Sequence, residues 1–147
     1  MKKIIIIGAG AMGSAFSIPC VENSNDVTII GSVLEDDFIS SIKSNKNLHP
    51  SLNVVLPNNI KIEKFEKIIE IADTDLDLIV VAVSSVGIDW VGDEISKFYK
   101  SNTPIILLTK GLSIIDDQLT TLTEKLEMIL KKMVIKILIF LQLKVHV

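Results

Sequence analysis

The stretch IIIIGAGAMGSAF, from Ile4 to Phe16, decides how the rest of the chain reads. Four isoleucines run directly into Gly8, Gly10 and Gly13, spaced as G-x-G-x-x-G. The β-branched run Lys3–Ile7 reads as a strand buried on both faces. Gly13 to Glu22 reads as a helix, with Pro19 expected to kink its last turns. A second apolar run, Val27–Ile30, follows the turn at Asn23–Asp26. Strand, glycine turn, helix and strand in that order are the context in which these glycines cradle a phosphate. Gly8 would allow the tight turn, Gly10 would let a pyrophosphate approach the backbone, and Gly13 would let the helix close on the sheet. The helix start adds free N–H groups and the positive end of a dipole.

Working outward, the alternation continues. Glu35–Ser44 has helical spacing, with Phe38, Ile39 and Ile42 on one face. The asparagines and prolines of Asn45–Asn59 mark a loop, with a short extended piece at Val54–Leu56. Ile60–Ile62 reads as a short strand, Lys64–Ala72 as a helix, and Leu78–Val83 as a central strand. A helix over Ile88–Tyr99 and a strand over Ile105–Leu108 come next. Asp116 or Asp117 is then expected to cap a helix through about Lys132, with a stripe of Leu119, Leu122, Leu126, Ile129, Leu130 and Met133. Alternating strands and helices imply a doubly wound, mostly parallel α/β sheet with right-handed crossovers.

Open sheets of this kind bind ligands beyond the carboxyl ends of their strands. Ser84-Ser85 follows one such end, where a plain polar turn and a binding loop read equally well. Thr109-Lys110-Gly111 follows another, and a lysine there is a costly charge unless it meets an anion, a carbonyl or water. The acid that commonly holds the adenosine ribose at the end of the second strand is missing, because Gly31 and Ser32 follow Ile30. No basic residue stands there for a 2′-phosphate either. Ser32 can hydrogen-bond either cofactor, so the choice between NAD and NADP stays open.

Composition bounds the function. The 147 residues are 48% hydrophobic and 22% charged with a net charge of −3, which fits one folded domain and excludes a broad nucleic-acid surface. The only cysteine, Cys20, cannot form an intramolecular disulfide, so a reducing, cytoplasmic setting is expected. The isoleucine run after Met1-Lys2-Lys3 is too short for a signal peptide, and Lys136 and Lys144 interrupt the apolar tail, so no membrane span is read. No set of residues is spaced as a metal site. His49, ahead of Pro50, reads as a surface histidine, and His146 carries no argument. Trp90 and Phe98 read as core, and Asp73, Asp75 and Asp77 as a solvated turn.

The motifs IIIIGAGAMGSAFS, VTIIGS, HPSLNVVLPNNI, DLIVVAVSS and ILLTKGL occur in an order that resembles the N-terminal, Rossmann-type domain of the NAD(P)-dependent glycerol-3-phosphate dehydrogenases, over about Lys3 to Ser113. The combination favours this family over ketopantoate reductases, which share the fold. The resemblance implies that Gly8, Gly10, Ala11, Met12 and Gly13 wrap the pyrophosphate of NAD or NADP and that Ser32 lies near the adenosine ribose. It implies that Lys110 contacts both the nicotinamide side and the substrate. It also implies the activity, hydride transfer between dihydroxyacetone phosphate and sn-glycerol 3-phosphate, which supplies phospholipid synthesis. A fixed cation such as Lys110 suits charge growing on a carbonyl oxygen.

The family carries its catalytic lysine in a second, mostly helical domain, so no residue of this sequence is assigned to that role. Residues 1–133 read as the dinucleotide-binding domain and 134–147 as an atypical apolar tail. Arginine is absent and lysine and isoleucine abound, as in an AT-rich gene. A one-nucleotide shift at the Lys131-Lys132 codons would give a more polar continuation ending in Gly-Pro, so a frameshifted, truncated dehydrogenase is expected. The tail would then pair as an edge strand or leave apolar surface open to self-association. Three functions follow: an enzyme by descent that binds cofactor with little turnover, a non-catalytic dinucleotide-binding module, and an interaction protein that binds no cofactor.

Overall fold

The isoleucine run forms β1 (Lys3–Ile7), and its alternation explains why it lies at the centre. Ile4 and Ile6 point into one apolar cluster and Ile5 and Ile7 into another, one on each face of the sheet. The computed structural model describes residues 1–100 and 102–131. The elements that follow β1 are α1 (Ala11–Glu22), β2 (Asp26–Ile30), α2 (Asp36–Ser44), β3 (Leu48–His49), β4 (Val54–Val55) and β5 (Lys61–Glu63). A 3-10 turn leads into α3 (Ile68–Ala72), followed by β6 (Leu78–Val81), α4 (Ile88–Ser96) and β7 (Ile105–Leu107). The chain continues through β8 (Leu112–Ile115), β9 (Gln118–Thr121) and α5 (Leu122–Lys131).

The main sheet has the order β5-β2-β1-β6-β7, with every neighbouring pair parallel. Successive strands step one way from β1 through β2 to β5, then return to the other side of β1 for β6 and β7. The order therefore reverses between β1 and β6, which opens a crevice at their carboxyl ends. The doubly wound parallel sheet expected from the alternation is observed.

Helix α1 buries an unusually small face, Gly13, Ser14, Ser17 and Val21. Its serines remain satisfied: Ser14 Oγ donates to the Ala9 carbonyl at 3.0 Å and Ser17 Oγ to the Ser14 carbonyl at 2.6 Å. The helix runs through Pro19 to Glu22. Proline withdraws one N–H from the ladder, but Ala15, whose carbonyl loses that partner, is exposed and open to water. On the opposite face, Trp90 and Phe98 pack against the core as expected, and Trp90 meets Phe65 at 4.9 Å between ring centroids.

The segment after β7 differs from the sequence expectation. Asp116 and Asp117 do not cap a helix. Both take positive φ, 49° and 61°, and form the two-residue turn of the β8–β9 hairpin, in which Ile115 pairs with Gln118. Leu119 is accordingly a strand residue, 70% exposed, rather than part of the helical stripe. Leu122, Leu126 and Leu130 do form that stripe. Met133 and the expected edge strand at 134–147 lie outside the described residues.

The start of α5 is fixed by Thr121 and Glu124, a T-x-x-E capping box. Glu124 N donates to Thr121 Oγ1 at 3.2 Å, and Glu124 Oε2 accepts from the Thr121 amide at 2.8 Å and from the Thr120 hydroxyl at 2.9 Å. These bonds, the Thr121 amide first, hold the Glu124 carboxyl below the usual glutamate range. A carboxyl with a depressed folded pKa contributes fully above its unfolded value and loses that contribution as pH falls through the folded one. Acidification should therefore fray α5, and Glu124→Gln should remove the part of that fraying due to Glu124. Far-UV circular dichroism against pH checks this, and identical acid profiles for the two proteins would dismiss the cap.

Candidate functional site

Gly8 turns the chain out of β1 with φ +111°, and a Cβ there would stand 2.6 Å from the Ala82 carbonyl oxygen. Only glycine fits both demands. Gly8 N donates to Ile30 O and Ala82 N to Ile7 O, each at 2.8 Å, so the ends of β1, β2 and β6 are tied together just below the turn. Gly10 then precedes α1 as its N-cap residue, with no side-chain cap, and the first turn contains no acid. Ser14 N makes an early helical bond back to Gly10 O at 3.0 Å, so the amides of Ala11, Met12 and Gly13 have no intrahelical acceptor. These donors and the dipole behind them make the start of α1 a place that suits an anion.

A cleft of about 420 Å³ opens above them, at the crevice where the strand order reverses. Gly10, Ala11 and Met12 line it from the β1 end, Ala82 to Ser85 from the β6 end, and Leu108, Thr109 and Lys110 from the β7 end. A Cβ on Gly10 would meet nothing within 4 Å, so the glycine leaves space beside the cleft rather than relieving a contact. Thr109 Oγ1 donates to Val83 O at 2.5 Å, which locks the β7 loop to the β6 loop. Lys110 is exposed and has no ion-pair partner among the described residues. Its ammonium therefore meets water, one of the alternatives read from the sequence, and carries no burial penalty at the rim.

The expected residues thus divide into three groups. Gly10, Ala11, Met12, Lys110 and the Ser84-Ser85 turn line one cleft. Gly8 and Gly13 lie buried beneath it as packing residues. Ser32 is not in the cleft; it stands at the start of the β2–α2 turn, where its amide donates to Glu35 Oε2 at 2.6 Å. The same oxygen accepts from Ala9 N at 3.3 Å. An acid does reach the end of β2, supplied by Glu35 after the turn folds back.

His49 also differs from its reading as a surface histidine. It is fully buried, with its ring edge-on to Phe38 at 5.2 Å between centroids. Nδ1 accepts from Leu52 N at 3.2 Å, so the ring proton resides on Nε2, which donates to Ala9 O at 3.0 Å. The Ala9 carbonyl then receives two hydrogen bonds, from His49 and Ser14, while its amide meets Glu35. The peptide inside the glycine motif is clamped from three elements. For His49 the signal was weak: a His-Pro pair in a polar loop gives no period from which to infer burial.

Among the described residues no group of acids, histidines and cysteines is placed to hold a metal ion, and no helix is long and apolar enough to cross a membrane. Cys20 is a half-buried free thiol whose pKa burial pushes up, which makes it a poor nucleophile.

Comparison with known proteins agrees with this geometry. The chain is 36% identical over 124 residues to the NADP(+)-dependent glycerol-3-phosphate dehydrogenase of Archaeoglobus fulgidus, a match covering 82% of this chain and 35% of the relative. It is 32% identical over 133 residues to the NAD(P)+ glycerol-3-phosphate dehydrogenase of Fusobacterium nucleatum, covering 90% and 38%. The crystal structure of glycerol-3-phosphate dehydrogenase from Coxiella burnetii superposes with a TM-score of 0.70 at 20% identity, over 88% of this chain and 38% of that one, a likeness of fold. The chain therefore spans little more than a third of the length of these relatives. The family described as NAD-dependent glycerol-3-phosphate dehydrogenase N-terminus matches residues 3–140. With nearly its whole length inside that match, the chain belongs to the NAD-dependent glycerol-3-phosphate dehydrogenase family, through the family's N-terminal domain.

Proposed function

We propose that this chain is the cofactor-binding part of an NAD(P)-dependent glycerol-3-phosphate dehydrogenase, which interconverts dihydroxyacetone phosphate and sn-glycerol 3-phosphate. The observation that carries the reading is the cleft at the switch point, with unpaired first-turn amides on one side and the free Lys110 cation on the other. The residues suit a dinucleotide: the amides of Ala11 to Gly13 seat the pyrophosphate, the open flank of Gly10 admits it, and Ser32 borders the adenosine ribose. When bound, the reduced nicotinamide supplies the hydride. The chain's own part is to orient that ring between the Ser84-Ser85 and Thr109-Lys110 loops. Lys110 offers its ammonium to a phosphate or to the carbonyl oxygen that gains charge.

The chain spans about a third of its relatives' length, which supports binding with little turnover when it acts alone. Calorimetric titration with NADH and NADPH tests the seat. Reduction of dihydroxyacetone phosphate, followed by loss of nicotinamide absorbance, tests turnover. Binding without turnover is expected, and failure to bind either cofactor would remove the proposal. Lys110→Gln should weaken cofactor binding by up to about tenfold without changing the urea midpoint, as expected for one exposed charge acting on an anionic ligand. Unchanged affinity would take Lys110 out of the site.

A further inference from the structure

We infer that Glu35 selects NAD(H) over NADP(H), an inference that rests on the dinucleotide reading of the cleft. The turn Ser32-Val33-Leu34-Glu35 closes on itself, with Glu35 N donating to Ser32 O at 3.0 Å. That closure returns the Glu35 carboxylate to the ends of both β1 and β2, where Oε2 accepts from Ser32 N at 2.6 Å and Ala9 N at 3.3 Å. Oε1 makes no hydrogen bond to the described residues, and Glu35 is half-buried, so one carboxylate oxygen is left for a ligand.

A dinucleotide whose pyrophosphate lies on α1 brings its adenosine ribose to the end of β2. There the free oxygen of Glu35 can accept a ribose hydroxyl. A 2′-phosphate in that position would instead meet the negative charge of that carboxylate. Glu35 belongs to no ion pair among the described residues, and Asp36 and Asp37 follow it in the first turn of α2. Lys43, the lysine on that helix, is engaged with Glu63 at 3.0 Å. The start of α2 contributes about half a positive charge, against three neighbouring carboxylates. Repulsion wins, and it acts over a few ångströms in a partly desolvated turn. The names of the two relatives, one NADP(+)-dependent and one NAD(P)+, leave the preference of this chain open.

The test is calorimetric titration of the whole chain with NADH, NADPH, ADP and 2′,5′-ADP, for the natural protein and for Glu35→Gln. The amide of glutamine keeps an acceptor for Ser32 N while removing the charge, and the urea midpoint checks that the variant folds. NADH should bind at least about tenfold more tightly than NADPH, and ADP more tightly than 2′,5′-ADP by a similar factor. Glu35→Gln should lower both ratios by at least about threefold, chiefly by tightening the phosphorylated ligands. Equal or tighter binding of NADPH by the natural protein would overturn the inference, as would ratios unchanged in the variant. The ADP pair tests the natural protein directly, so a variant that fails to fold leaves the inference exposed to refutation. Binding of none of the four ligands would instead sink the dinucleotide reading itself.

Discussion

Gly13→Ala is expected to destabilise the protein strongly, whereas Gly10→Val, three residues earlier, leaves the fold intact and abolishes cofactor binding. A Cβ on Gly13 would overlap the Gly8 carbonyl oxygen and approach Ala82 Cβ to 3.0 Å and Ile6 Cγ2 to 3.2 Å. The first of these is a backbone atom of a residue already fixed at φ +111° against Ala82, so neither side of the contact can give. Overpacking a core commonly costs about 1–3 kcal/mol, and a rigid backbone clash belongs at or above the top of that range. Against a total stability of about 5–15 kcal/mol, that loss should lower the urea midpoint by about 1 M or more.

Gly10 presents the opposite case. Its φ is −63°, available to any residue, and its Cβ direction is empty. Valine there adds little strain but puts two methyl groups beside the first-turn amides that a pyrophosphate must reach. A loss of at least about a hundredfold in NADH affinity is expected, because a blocked phosphate seat removes several charge-assisted hydrogen bonds together. Urea unfolding and NADH titration of both variants separate the two roles. A Gly13→Ala protein as stable as the natural one would refute the packing argument. A Gly10→Val protein that binds normally would refute the seat.

The distinction between these glycines shows what was legible in the sequence. The motif announced a tight turn, a close approach and a helix packed on the sheet, and all three are read from local spacing. Strands β1, β2, β6 and β7 were equally legible, because a strand buried on both faces must be apolar without interruption. The hairpin at 112–121 was misread because Asp116-Asp117 resembles a helix cap as much as a turn, and in the structure both residues take the positive φ of a turn. A usable signal was present: Thr121 and Glu124 have capping-box spacing, which places the helix start five residues later than expected from Asp116. Glu35 and His49 were hidden for another reason. Each acts on Ala9, 26 and 40 residues away in sequence, so its role exists only after β1 and β2 have paired and the 45–59 excursion has folded over them.

His49 carries the second large effect. His49→Ala should destabilise the protein by about 3 kcal/mol and weaken NADH binding in the fraction that remains folded. The ring is wholly buried, so its removal leaves a cavity beside Phe38, a Leu52 amide without its acceptor, and an Ala9 carbonyl with Ser14 as its remaining partner. The cavity of ring size supplies most of that loss, and the part-buried Leu52 amide left without an acceptor adds about 1 kcal/mol. Two conservative variants divide the loss. Glutamine can place an amide N–H where Nε2 stood and keep the bond to Ala9, while asparagine can place an oxygen where Nδ1 stood and keep the bond from Leu52. If orientation of the glycine loop is what His49 supplies to the ligand, His49→Gln should retain NADH affinity better than His49→Asn even at equal stability. Urea midpoints and NADH titrations across the three variants decide it. Equal affinities for glutamine and asparagine at equal stability would reduce His49 to a core residue, because the bond to Ala9 would then make no difference to the ligand.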